Sequence, residues 1–237
     1  KISLDGLRVA PPRRALAQFV GLLRRVGTDR NDPGLVRISA REWIEARIAD
    51  PVGRDVAAGA VRVSSYSGDL STFSADAAAT QLHAALRGVT YLHGGWAQLV
   101  DATKAAATAA GATVEHTSKV TSIDTDGERH LVALGDGRRL ITRAVVLAAG
   151  GPSTATRLVG DRSPTLTAAA LAAIPVHAAC LDLGLRRLTT SSTRFVLGID
   201  RPTYASIHTP GAHLADDGHV AHVMYYEPGD DIGVADL

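Results

Sequence analysis

The chain has 237 residues, 46% of them hydrophobic and 21% charged, with 25 Lys and Arg against 24 Asp and Glu for a formal net charge of +1. That balance lacks the basic footprint of a nucleic-acid binder, and no apolar stretch reaches the ~20 residues of a membrane-spanning helix. A single cysteine, Cys180, excludes an internal disulfide and agrees with a reducing cytoplasm; its place in the apolar run Ile174 to Leu183 predicts a buried, inert thiol.

Residues 1–90 read as mainly helical. The pairs Arg13-Arg14 and Arg24-Arg25 suit a solvated helix face, with phosphate binding as the lesser alternative. The polar run between Gly27 and Gly34 predicts a loop, open to disorder. Ser39 and Glu42 form a capping box with Ile38 and Trp43 as a hydrophobic staple, so a helix should run to about Ala49. Asp50-Pro51 then reads as an N-cap with proline at the first helical position, and Ser74 opens a helix to about Arg87 along Ala77, Leu82 and Leu86.

Residues 91–160 carry the densest pattern. Trp96, Leu99, Val100, Thr103, Ala106, Ala107 and Ala110 recur with the helical period and should face a core, until Gly111 ends the helix. A strand is predicted at Ala112 to His116. A meander should follow over Lys119 to Asp124, His130 to Leu134 and Arg139 to Thr142, turning at Asp126-Gly127 and Asp136-Gly137. Ala144 to Ala149 has no polar residue, which suits a central strand, and it runs into Gly150-Gly151-Pro152-Ser153 and a second helix. A strand ending in glycines leaves backbone N–H groups uncovered where open α/β folds bind ligands, although an ordinary strand-to-helix turn has the same residues.

Residues 161–237 turn to strand patterns at Ile174 to Leu183, Arg194 to Ile199, Tyr204 to His208 and His219 to Tyr226, which predict a mixed or antiparallel sheet. Gly229-Asp230 reads as a turn. His208, His213, His219 and His222 match no standard zinc spacing, so no metal site is assigned. Tyr204, Tyr225 and Tyr226 could line a substrate pocket or simply fill a core. No Gly-x-Ser-x-Gly elbow is present, which disfavours a serine hydrolase.

The order of these elements resembles the FAD-dependent oxidoreductases of the phytoene desaturase and flavin-containing amine oxidase superfamily. Tyr91, Gly94, Gly95 and Leu99 are similar to that family's Tyr-x-x-Gly-Gly-x-x-x-Leu helix entry. Gly111, Ala112, Val114, Val120 and Ile123 match its Gly-Ala-x-Val strand and the Val-x-x-Ile that follows, and Val145, Val146, Ala148 and Pro152 match its Val-Val-x-Ala-x-x-Pro. The resemblance implies an α/β fold of α+β type. Residues 91–160 would form part of a Rossmann-like FAD-binding domain with its meander, residues 1–90 the helical part of a substrate domain, and residues 161–237 its sheet.

By the same resemblance Gly94 and Gly95 approach the cofactor, the backbone of Val120 lies beside the adenine, and Ala148, Ala149, Gly150 and Gly151 lie near the adenosine and pyrophosphate half. His93 shares the first of these loops, more as a loop residue than an acid–base group. The family's Gly-x-Gly-x-x-Gly grip and its C-terminal Gly-Asp segment are not found, so the chain reads as an interior fragment or an excised domain. The implied activity is hydride transfer from a hydrophobic small molecule to FAD, in the cytoplasm, with peripheral membrane contact left open. No catalytic residue and no oligomeric state is indicated. A non-enzymatic binding module and another nucleotide-dependent α/β enzyme remain alternatives.

Overall fold

The computed structural model describes residues 11–148, 150–188, 195–199, 201–208 and 211–226. Its helices are α1 (Arg13–Asp29), α2 (Ala40–Arg47), α3 (Pro51–Ser65), α4 (Ala75–Leu86), α5 (Trp96–Ala109), α6 (Pro152–Val159) and α7 (Pro164–Ala172). Its strands are β1 (Val120–Asp126), β2 (Arg129–Leu134), β3 (Arg139–Thr142), β4 (Ala179–Leu185), β5 (Phe195–Leu197), β6 (Thr203–Ile207) and β7 (His219–Tyr225). They fall into two compact units: Lys1–Asp101 with Val176–Leu237, and Ala102–Pro175.

In the first unit α1 buries Ala15, Phe19, Leu22 and Val26 along one face and leaves Arg13, Arg14, Arg24 and Arg25 in solvent. The predicted loop after Gly27 is partly helix: α1 continues to Asp29, and Asp32 then caps a 3-10 turn over Pro33–Arg37. Asp29 explains the difference. It is buried and accepts from Trp43 Nε1 at 3.0 Å and from Arg47 Nε at 3.1 Å and Nη2 at 3.0 Å, partners far away in sequence.

The capping box forms as read, with Glu42 N–H donating to Ser39 Oγ at 3.2 Å and Ser39 N–H to Glu42 Oε2 at 2.8 Å. That helix stops at Arg47, short of Ala49, because the N–H groups of Ala49 and Asp50 turn to Gln18 Oε1 at 2.8 and 2.9 Å. Asp50 and Ser74 cap α3 and α4 as expected. The core gathers Phe19, Leu22, Trp43, Val61 and Leu82 from α1, α2, α3 and α4, with Ile48 from the turn after α2.

The sheet of this unit is antiparallel, in the order β4-β7-β6-β5. The run Ile174 to Leu183 pairs only from Ala179 onward. Arg194 and Gly229-Asp230 lie outside the described residues. Cys180 is exposed, contrary to the buried thiol expected from its apolar run. It sits on the edge strand β4 and alternates to the face opposite Leu181 and Leu183, so the hydropathy of its neighbours does not describe its own surroundings.

The second unit holds the meander β1-β2-β3, which turns at Gly127 (φ +61°) and Gly137 (φ +89°) as the Asp-Gly pairs predict. Ile123, Val132 and Leu134 form its core, with Val120, Val145, Leu158 and Val159 packed around them. Neither Ala112 to His116 nor the described part of Ala144 to Ala149 is a strand. A strand needs a paired neighbour, and among the described residues these apolar segments have none, so Val146 is 89% exposed. Helix α5 forms and ends before Gly111 (φ +92°), but its predicted core face is uncovered, with Trp96 75% exposed.

Candidate cofactor and substrate surfaces

Gly94 and Gly95 both adopt φ of +73°, a region that glycine alone enters without strain, and they lead the chain into α5. A Cβ at Gly94 would stand 2.9 Å from Gln98 Cγ and Nε2. This loop is tied to the segment after β6. Gly94 N–H donates to the His213 carbonyl at 2.7 Å, and His213 N–H donates to His93 Nδ1 at 3.2 Å. The His93 and His213 rings lie 5.0 Å apart, and Tyr91 rests on His208 at 4.8 Å between ring centroids. The loop expected beside the cofactor and the sheet expected to carry the substrate therefore meet within one unit.

Register decides which sheet side chains share a face. Asp182, His222, Ser206 and Phe195 are aligned in one row across β4, β7, β6 and β5, and Cys180, Met224, Tyr204 and Leu197 form the next row on the same face. The opposite face carries Leu181, Leu183, Val223, Ala205 and Ile207, with His219 and Thr203 toward its ends. On the polar face an unbroken chain of rings runs from Tyr91 to His208 (4.8 Å), His222 (6.3 Å), Tyr204 (6.3 Å) and Phe195 (5.2 Å). Of the three tyrosines marked in the sequence, Tyr204 and Tyr226 belong to this side and Tyr225 to the other. Tyr226 is buried, packs edge-on against Tyr66 at 6.3 Å, and has no hydrogen-bond partner for its hydroxyl among the described residues.

His222 Nδ1 lies 2.5 Å from Asp182 Oδ1, and His208 Nε2 lies 3.0 Å from Ser206 Oγ. Burial pushes the His208 imidazole below its ordinary value, and the neighbouring His222 adds to that shift against a smaller pull from Asp182. The phenols of Tyr91 and Tyr204 are raised, chiefly by burial. His213 pairs with His93 instead of joining His208 and His222, and His219 alternates away from His222. Among the described residues no three His, Cys, Asp or Glu side chains converge as a metal site would require. The sequence marks His222 only as one of four histidines without a zinc spacing and gives Asp182 no role; the available signal was one carboxylate inside an otherwise apolar strand.

The remaining expected cofactor residues lie in the second unit. Val120 opens β1 beside a register irregularity and borders the small core that Val145 also touches. Ala148 is exposed, and Ala149 lies outside the described residues. Gly150 (φ +77°) and Gly151 bring the chain to the N-terminus of α6, where Pro152 has no N–H to leave unpaired and a Cβ on Gly151 would meet nothing within 4 Å. A recess of about 260 Å³ nearby is lined by Ile123, Thr125, His130, Val145, Arg162 and Leu166 among others. Arg162 holds its wall in place by donating to Asp124 Oδ1 at 2.6 Å and to the Ile123 carbonyl.

Residues 11–180 match the family model described as flavin containing amine oxidoreductase. No curated protein matches. Among solved structures the chain is similar to the PF1083 protein from Pyrococcus furiosus, with 14% identity and a TM-score of 0.68 over 90% of this chain and 55% of that one. It is also similar to a putrescine oxidase triple mutant redesigned in its cofactor binding, with 12% identity and a TM-score of 0.65 over 95% and 54% of the two chains. Wild-type putrescine oxidase bound to putrescine gives the same figures of 12%, 0.65, 95% and 54%. The chain thus spans about half the length of these structures, and at such identity they show the fold.

Proposed function

The chain belongs to the flavin-containing amine oxidoreductase family, and on that footing we propose that the full-length protein is an FAD-dependent oxidoreductase acting on a hydrophobic small molecule. The observation that carries this reading is the meeting of the Gly94–Gly95 loop with the aromatic face of the β4-β7-β6-β5 sheet through Tyr91 and His208. When bound, FAD supplies the acceptor for a hydride leaving a substrate carbon.

The residues present fit part of that cofactor. Gly150 and Gly151 offer backbone free of side chains at a helix N-terminus, suited to the phosphate-bearing half, and the exposed backbone at Ala148 continues that surface. Val120 would place its backbone beside the adenine, and Gly94 with Gly95 would admit the cofactor closely, since a Cβ at Gly94 would collide with Gln98. The chain's own residues do not include a Gly-x-Gly-x-x-Gly loop for the pyrophosphate. On the substrate side, the rings of Tyr91, Tyr204 and Phe195 favour a flat apolar molecule, in keeping with a phytoene desaturase-like subtype over one specialised for small diamines.

The test is the visible absorption spectrum of the full-length protein as purified, with this chain alongside. Flavin bands in the full-length protein support the reading. A colourless protein that takes up no added FAD overturns it and leaves a binding module as the better account.

A further inference from the structure

We propose that Asp182 and His222 form a proton-accepting dyad on the aromatic face of the sheet, with His222 Nε2 as the atom that receives the substrate's proton. The inference deepens the oxidoreductase reading and rests on it. Taking a hydride from a carbon that bears a neighbouring Y–H group, where Y is carbon, nitrogen or oxygen, leaves a C=Y double bond. The C–H bonding pair departs with the hydride to the flavin, and the Y–H pair becomes the new π bond. To reach a neutral C=Y product Y must also give up a proton, and some group must take it.

The row Asp182–His222–Ser206–Phe195 supplies such a group where the rings would hold the substrate. As a carboxylate, Asp182 can only accept; its contact of 2.5 Å with the ring therefore assigns the His222 proton to Nδ1. Nε2 is then the ring's basic nitrogen, in the tautomer a proton acceptor needs, and the carboxylate stabilises the imidazolium that forms.

The other groups facing His222 suit the same role. Tyr204 from β6 and His208 just beyond its end lie with their ring centroids 6.3 Å from that of His222, Ser206 is engaged with His208, and Tyr91 closes the far side of His208. Burial favours neutral His208, which removes one positive charge that would oppose protonation of His222. Asp182 is a positioning residue in this scheme, acting through the ring it orients.

The experiment uses the full-length flavin-loaded protein labelled with 15N-histidine. Long-range 1H–15N correlation identifies the His222 ring by its loss in His222→Gln. We expect a single Nδ1–H tautomer in the wild type and a mixture of tautomers in Asp182→Ala. A wild-type ring protonated at Nε2, or a tautomer unaffected by Asp182→Ala, overturns the dyad. Anaerobic flavin reduction by benzylamine, a flat apolar probe with one oxidisable C–N bond, gives the second readout. His222→Gln should slow reduction about 100-fold or more, the usual worth of a positioned base, and remove the acid limb of the pH profile. An unchanged rate and profile overturns the proposal while leaving the oxidoreductase intact. A protein that binds no flavin sinks the oxidoreductase reading instead, and the ring signature still decides the dyad.

Discussion

Replacing Arg47 by Met tests the account of the helical core most directly. Arg47 gives Asp29 two charge-assisted hydrogen bonds, at 3.0 and 3.1 Å, and the carboxylate is otherwise held by the Trp43 indole alone. The Asp29 side chain is 4% exposed and that of Arg47 30%, so methionine strands a buried charge but leaves an opening through which water can reach it. Removing one partner of a buried pair costs about 3–5 kcal/mol, and that opening argues for the lower end, about 3 kcal/mol. For a domain of this size the melting temperature should fall by about 6–12 °C. Urea unfolding followed by tryptophan fluorescence reads the change, since Trp43 touches the carboxylate itself. Adding Asp29→Asn removes the stranded charge and should restore more than half of the loss. A single variant within about 1 kcal/mol of wild type would refute the reasoning, because the carboxylate would then have to be solvated.

Gly59→Val should destabilise the first unit by about 1–3 kcal/mol in urea titrations, since even a Cβ there would lie 2.9 Å from Leu197 Cδ2; a neutral result would mean that α3 does not support β5 closely. Gly150→Val forces a branched side chain to φ +77° and against Thr154 Oγ1, so FAD binding by the full-length protein, followed by flavin fluorescence, should weaken at least about 10-fold. Equal affinity would detach that loop from the cofactor. His208 titrates below its ordinary 6.5 in the folded chain, so between those two values the unfolded chain binds more protons. Stability should therefore fall as pH drops from 6.5 toward the lowered value, and His208→Phe should remove that part of the pH dependence of the urea midpoint; an identical slope would contradict it.

Local chemistry made the starts of α2, α3 and α4 and the Asp-Gly turns legible in the sequence, because Ser39, Asp50, Ser74, Gly127 and Gly137 act on atoms within a few residues of themselves, whereas α7, which Ser163 caps, falls in residues read only as strand patterns. Segments that depend on distant partners were not legible. The runs around Val114 and Val146 have strand composition but no paired neighbour among the described residues, and Asp29 looked like a loop residue until Trp43 and Arg47 came to it from α2. Much the same holds for the site. Glycine positions could be marked from their own torsional freedom, whereas the contacts of Tyr91 with His208 and of His222 with Asp182 join residues 117 and 40 positions apart, the second through the register of β4 with β7.

The two-sided character of β7 also limits how this protein can change over evolutionary time. His222 and Met224 point one way while Ala221, Val223 and Tyr225 point the other, so a one-residue insertion or deletion between Gly218 and His222 would exchange the two sets along the rest of the strand. The imidazole would leave the aromatic row and an alkyl group would enter it. Length variation in homologous chains should accordingly concentrate in the connections between strands, and any change within β7 should come in steps of two.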